Sequence, residues 1–515
     1  MSCFLGIDAG TSGIKAIVLE HTGRILGEGY AECNVVAPKP GWAEEDPLDW
    51  WEACKTAVGL AVSKSGRGKD IEGIGFSGQM QGSTLMDADM NPVDNCIIWM
   101  DQRASAEADE LNTRMPREEM LDIAANFCLP SYWAPKLLWL QKHKPDVFER
   151  TKTVLFTKDY LRYRMTGEVA TEVSDASCSF LLDMKKRAWS PRLFEAAGLP
   201  MDMVPRRLLE SQDVAGYLRA DLAEEWGMRA GIPVAAGGGD QTMGGVGSGV
   251  VRPGVVAATI GTSGVVFGCC ETPFVDEERR AMYSLCHSVP GVYSYLGCTL
   301  GAGGSYKWLR DTIFATEKDA MEAKGENIYA YMDSLAEKAP VGSEGLAFLP
   351  YLSGEGTPHV DPDARGVFFG LSYRHGRGDL CRSIMEGVTF SLRDTIEILR
   401  ATGRSITQVR AMGGGAKSPL WRQIQADVYN ATVITMNMEE GPAAGAAILA
   451  AVASGFFKNV EEGCSAILKP VSTTEPIAKN AAVYDEYYQT YHSLYPTLKE
   501  TFARQASLVE KQMSE

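Results

Sequence analysis

Two aspartates occupy positions where carboxylates do chemistry. Asp8 closes the apolar run in CFLGIDAGTSGIKAIVLE (residues 3–20) and precedes the turn Gly10-Thr11-Ser12-Gly13. Asp240 follows three glycines in AAGGGDQTMGG (residues 235–245). Glycines let a ligand approach the backbone closely, and an aspartate on such a turn suits a general base that takes a proton from a substrate hydroxyl. An aspartate there can equally cap the following helix. A carboxylate at a strand end is costly without a partner, and a magnesium ion bridging Asp8 to phosphate would be one. The Asp8 turn recurs about 250 residues later, as Gly261-Thr262-Ser263-Gly264 in VVAATIGTSGVVFGC (residues 255–269), with Thr259 in the place of Asp8. One such turn is also an ordinary hairpin. Two in corresponding places could clasp a polyphosphate between them, through backbone N–H groups and hydroxyls. Phosphoryl transfer needs little beyond positioning, charge neutralisation and an oriented nucleophile.

The elements around these residues read as a duplicated α/β plan. Segments 3–7, 14–19 and 24–32 read as strands. Asp46 and Pro47 open a helix that stops near Gly66. Residues 110–230 read as mostly helical. Paired strands return around the second turn, followed by a long helix from Leu380 to about Thr402. A strand, a glycine turn and a helix capped by Ser418-Pro419 come next, and a charged amphipathic surface helix follows position 475. A glycine-rich bend at 245–254 divides the two halves and offers a hinge.

Composition narrows the classes. The chain has 515 residues, 45% hydrophobic and 23% charged, with net charge −16. No Lys/Arg-rich block suits a nucleic acid, so nucleic-acid and membrane partners are not expected. There is no G-x-x-x-x-G-K-[ST] loop; the one Gly-Lys pair, Gly68-Lys69, is followed by Asp70. Twelve cysteines without a C-x-x-C pair, and an N-terminus without a secretory pattern, lead us to expect reduced thiols in the cytoplasm. The six histidines show no metal spacing, and His287 and His359 read as structural.

The stretches GIDAGTSGIKA, GWAEEDPLDWW, GFSGQMQG, WMDQR, GGGDQ, ATIGTSG, LPYLSGEGTPH, RGVFFGLSYRHGRGDLCRSIMEG and GGGAKSPLWRQIQADV resemble the FGGY carbohydrate kinases over about residues 1–490. The likeness is greatest to the xylulose kinases among them. It implies two ribonuclease-H-like lobes of the actin/hexokinase/Hsp70 ATPase type around a central cleft. The expected division is residues 1–247, 254–490 and a tail helix at 491–515. It also implies transfer of the γ-phosphate of ATP to a ketopentose hydroxyl, with D-xylulose giving D-xylulose 5-phosphate as the leading case. The alternatives are a kinase for another ketose or polyol, and a chaperone-like ATPase on the same fold. By the resemblance, Asp240 is the base and Asp8 positions Mg2+. Met80, Gln81, Asp240 and Gln241 face the sugar. Thr11, Ser12, Lys15, Gly261, Thr262, Gly303, Lys307, Trp308, Gly414, Gly415 and Ser418 face ATP. A homodimer is implied by the same analogy. Four residues depart from the family pattern, three of which are Gln81 where His is usual, Gln241 where Asn is common, and Gly356 where Arg is frequent. Trp133, where a small residue or Pro is usual, reads as core or wall, or as narrowing the sugar pocket.

Overall fold

The computed structural model describes residues 2–277 and 280–513. Its first half opens with β1 (Cys3–Gly10), β2 (Gly13–Glu20) and β3 (Ile25–Glu32). Helix α1 (Pro47–Ser65) follows, then β4 (Ile71–Gly78). The start of α1 lies where the sequence puts it. The Asp46 carboxylate accepts from Leu48 N at 2.8 Å, Pro47 fills the first turn, and Gly66 closes the helix in the left-handed region. Between β4 and the second half lie short helices, among them α2 (Trp133–His143), and the strands β5 (Val214–Tyr217), β6 (Pro233–Ala235) and β7 (Gly238–Gly239). The stretch read as mostly helical therefore also supplies β5, a strand of the first sheet. That sheet runs β5-β6-β4-β1-β2-β3, with β7 also paired to β4. β1, β4 and β6 are parallel, and the β1–β2–β3 meander is antiparallel.

Helix α3 (Asp240–Ser248) leads into the second half. There β8 (Val255–Ile260), β9 (Gly264–Cys270), β10 (Tyr283–Cys286) and β11 (Tyr293–Thr299) come first, then α4 (Gly303–Thr312) and α5 (Arg377–Arg400). β12 (Gln408–Gly413), α6 (Pro419–Tyr429), β13 (Thr432–Met436) and α7 (Gly441–Ala453) complete the repeat. α8 (Val460–Ile467), β14 (Pro470–Thr474) and α9 (Ala478–Met513) finish the chain. The second sheet runs β10-β11-β9-β8-β12-β13-β14. Its β11-β9-β8-β12-β13 segment repeats the pairing senses of β3-β2-β1-β4-β6. The chain thus folds as two α/β units on one plan.

The two units are joined by helices. α7, from the second half, packs its alanines against Phe4, Ile17 and Leu19 of the first sheet and against Met243 and Val246 of α3. A Cβ at Gly247 would overlap the carbonyl of Gly441, and one at Gly445 would overlap that of Met243. The glycine-rich bend expected at 245–254 is therefore helix as far as Ser248. Its glycines serve close helix packing. The tail also differs from the reading. α9 is one helix from Ala478, so the division at 491 falls inside it, and Tyr484, Tyr488, Tyr491 and Phe502 are buried in the second core.

Candidate active site

Strand register brings the two aspartates together. Asp8 lies opposite Lys15 on β2 and beside Ser77 on β4. Ser77 Oγ donates to Asp8 Oδ1 at 2.7 Å. Ser77 is also the register partner of Gly238 on β7, two residues before Asp240. Asp8 and Gly238 thus flank Ser77 on either side of β4, two strand spacings or about 10 Å apart at the backbone, and Asp240 follows Gly238 by two residues at the start of α3. Open parallel sheets bind ligands at this edge. Burial pushes the Asp240 carboxyl up to about 7, and the Asp8 charge pushes it the same way. Asp8 is itself raised by burial, against its Ser77 hydrogen bond, with Glu440 adding to the rise and Lys15 opposing it. Asp240 sits at the first turn of α3, so the helix dipole also favours an anion there.

These carboxylates suit magnesium, which binds one or two of them and completes its shell with water and phosphate oxygens. Among the described residues, no group of three or more carboxylates, imidazoles and thiols forms a metal cage. A cation at Asp8 would therefore share its ligands with a bound phosphate, and would offset the burial that raises Asp8.

The Gly10–Gly13 turn beside Asp8 is held from both sides. Thr11 Oγ1 donates to Gln79 Oε1 at 3.2 Å and accepts from Trp99 Nε1 at 3.0 Å. Gln79 Nε2 and Trp50 Nε1 both donate to Glu45 Oε2, at 2.6 and 2.7 Å. The carbonyl of Ser12 accepts from Tyr30 Oη at 2.9 Å. Lys15 pairs with Glu440 at 2.6 Å and Glu28 at 3.4 Å.

The Met80–Gly82 turn follows β4 and abuts Asp240. A Cβ at Gly239 would come within 2.6 Å of Met80 Cγ. Gln81 adopts φ 71°, left-handed for a residue with a side chain. Helix α2 holds this turn by two consecutive carbonyls. Lys136 Nζ donates to Gln81 O at 2.9 Å, and Trp133 Nε1 donates to Gly82 O at 2.8 Å. Lys136 also reaches Ile97 O at 2.9 Å, and burial pushes its ammonium down to about 7. Trp133 is fully buried and stacked on Phe156, centroids 3.7 Å apart. It supports the turn from behind, which fits its reading as core rather than as a wall that narrows the pocket. Asp101 and Arg103 are likewise internal. They pair at 2.7 Å, and the guanidinium lies 3.7 Å from the Trp42 ring centroid.

The second half supplies a cavity of about 860 Å³, within the range of small-molecule sites. Gly261, Thr262, Gly303, Lys307, Gly414, Gly415 and Ser418 all line it. The carbonyl of Thr262 accepts from Ala302 N and Gly304 N, both at 3.0 Å, which docks the β8–β9 turn on the start of α4. The lining includes Met438 and Glu439, next to Glu440, the partner of Lys15. The cavity therefore adjoins the hairpin that carries Asp8. Trp308 lies outside the lining. It follows Lys307 on α4, so its ring turns away and packs 6.5 Å from Phe368.

Comparison with known proteins agrees with this geometry. Residues 3–247 match the N-terminal domain of the FGGY family of carbohydrate kinases, and residues 256–454 match its C-terminal domain. The chain belongs to the FGGY carbohydrate kinases. A xylulose kinase of Bacillus subtilis (strain 168) is 36% identical over 501 residues, 97% of this chain and 98% of the relative. One of Escherichia coli (strain K12) is 37% identical over 497 residues, 96% and 99% of the two chains. The crystal structure of a xyloylose kinase from Brucella ovis superposes with TM-score 0.88 at 35% identity, covering 97% of this chain and all of that one. This FGGY kinase is thus a sugar kinase, and the chaperone-like alternative gives way. Among its described residues, no helix is long and apolar enough to cross a membrane.

Several residues that shape the site escaped the sequence reading. Ser77, inside the quoted GFSGQMQG, anchors Asp8. Ser174 Oγ accepts from Gly239 N at 3.2 Å and donates to Glu172 Oε1 at 3.0 Å. Lys158 ties Asp159, Glu172 and Asp175 into a fully buried cluster beneath the same turn. Only the GFSGQMQG motif gave any local signal for these. At Gly356, a Cβ would overlap the carbonyl of Cys298, so this backbone has no room for the arginine frequent in the family.

Proposed function

We propose that this FGGY kinase transfers the γ-phosphate of ATP to D-xylulose, giving D-xylulose 5-phosphate. The observation that carries the reading is the pairing of Asp240, its carboxyl pushed up to about 7, with Asp8 across one strand. A general base works best with its proton affinity near the operating pH. Asp240 accepts the proton of the sugar hydroxyl as that oxygen attacks the γ-phosphorus. The bond to the ADP oxygen breaks, and ADP leaves with the electron pair. Met80, Gln81 and Gln241 orient the sugar. The 860 Å³ cavity takes the nucleotide, with the Gly261–Thr262 and Gly414–Gly415 backbones toward its phosphates and adenosine. Thr11, Ser12 and Lys15 complete the phosphate side. A magnesium ion held by Asp8 and the nucleotide would neutralise charge on the transferring group. Residues 1–247 and 254–490 act as the two lobes, and closure between them would exclude water. Scattered cysteine thiols, most of them buried, suit a cytoplasmic setting.

Gln81 favours a second reading, a related ketose or polyol. Its left-handed backbone presents an amide that both donates and accepts but cannot ionise. A panel of ketoses and polyols with coupled ADP detection decides. We expect the highest kcat/KM with D-xylulose. A higher value for ribulose, L-xylulose or a sugar alcohol would replace that substrate, and sugar-independent ADP release alone would remove the acceptor role.

A further inference from the structure

A second cavity, of about 400 Å³, lies behind the larger one, between the end of α3, α8 and the β13–β14 edge. Its charged lining is Arg252, Arg410, Lys469 and one carboxylate, Glu461. That is a local cationic excess in a chain of net charge −16. Lys469 Nζ donates one of its three protons to Ser465 O at 2.7 Å, and the two arginines add the guanidinium donors of the lining.

Arg410 is the unusual member. It sits on β12 between Ala257 of β8 and Ile434 of β13, with no carboxylate at either register position. Its Nε and Nη1 atoms are buried without a hydrogen-bond partner. Buried guanidinium donors left unpaired are costly, and such orphans commonly mark a missing ion or water. Burial and the nearby Arg252 charge both lower its hold on its proton. Arg252 is exposed at the cavity rim. Neither arginine makes an ion pair among the described residues.

We propose that this cavity binds a small phosphate-bearing anion, with Arg410 and Arg252 as its principal ligands. Two guanidiniums match the several oxygens of a phosphate dianion better than the single charge of a halide. The volume exceeds that of one phosphate and leaves room for a small carrier such as a pentose. Arg410 also lines the larger cavity. Ser248, the last residue of α3, borders the larger cavity, and Gly249 borders the smaller. The anion therefore sits at the far end of the helix that begins with Asp240, and its occupancy is linked to nucleotide binding through Arg410.

The test uses the full-length protein saturated with ADP, so that the larger cavity is filled. Inorganic phosphate is titrated at constant ionic strength, with calorimetry and thermal shift as readouts and sodium chloride as control. We expect saturable binding that weakens at least tenfold in Arg252→Ala and is lost in Arg410→Gln, while Arg252→Ala keeps wild-type turnover without phosphate. Arg252→Ala alone carries the test if the substitution at half-buried Arg410 fails to fold. A parallel titration with ribose 5-phosphate separates the sources. Tighter binding than phosphate assigns a sugar phosphate, and equal or weaker binding assigns free phosphate. No saturable binding to the ADP-saturated protein, or binding that Arg252→Ala leaves unchanged, overturns the proposal.

Discussion

The two hairpins share a sequence pattern and differ in register, by one residue, and in chemistry. In the first, Asp8 faces Ser77 on the parallel neighbour and Lys15 on the antiparallel one. In the second, Thr259 occupies the equivalent place, between Met412 and Val265. The first hairpin therefore ends in a carboxylate anchored by a hydroxyl, on the other side of β4 from the strand that leads into Asp240. The second ends in glycine backbone that closes a wide cavity with the start of α4. Duplication supplied two similar scaffolds. A single side chain and its neighbours distinguish them, and in the proposed function proton and cation chemistry falls to one side and nucleotide shape to the other.

Substitutions can break that division. The largest effect is expected at Asp240→Asn, with sugar phosphorylation falling at least ~10³-fold while the ATP dissociation constant, read by calorimetry, stays near wild type. The same variant gives a stability signature of defined sign. The folded carboxyl keeps its proton up to about 7, whereas the unfolded one loses it near 4. Wild-type stability therefore falls as pH rises through that window. Asp240→Asn should be more stable than wild type at pH 8, by up to roughly 4 kcal/mol, with the difference gone by pH 4 in denaturant melts. Next comes Asp8→Asn, expected to lower kcat about 10²-fold and to weaken the magnesium dependence of the rate. Gly303→Val acts on the other hairpin. A Cβ there would lie 2.5 Å from Gly261 O, so KM for ATP should rise about tenfold or more with KM for the sugar unchanged. Lys136→Met removes a support of the Gln81 turn and should raise the sugar KM several-fold while leaving that for ATP alone. The smallest change is expected at Thr259→Val, within about twofold in all steady-state constants. A large loss there would show that the second hairpin also uses its side chain.

The sequence made parts of this division legible because they are local. Both turns, the Asp46–Pro47 and Ser418–Pro419 helix starts and the long helix before Gly403 follow from residues a few positions apart. The second half's glycines, lysine and serine line one cavity, and Trp308 lies outside it, one step along a helix that turns its side chain away. What was not legible depends on partners far along the chain. Ser77 reaches Asp8 across 69 positions, and Lys136 reaches Gln81 across 55. The Lys158 cluster has no local pattern at all. The glycines after Asp240 were read as a bend because composition cannot tell a loop glycine from one that lets two helices touch. The tyrosines of α9 looked like a surface face because the core they fill belongs to another part of the chain.

The account depends on Asp8 and Asp240 sharing one electrostatic environment, with Asp240 as the base. The most direct measurement is the pH dependence of kcat/KM for the sugar in wild type and in Asp8→Asn. It reports the free enzyme, in which the Asp8 charge helps hold the Asp240 carboxyl up at about 7. The account predicts an acidic limb near that value in wild type and a limb displaced to lower pH in Asp8→Asn. A limb that stays in place when Asp8 is neutralised, or its absence from the wild-type profile, would contradict it.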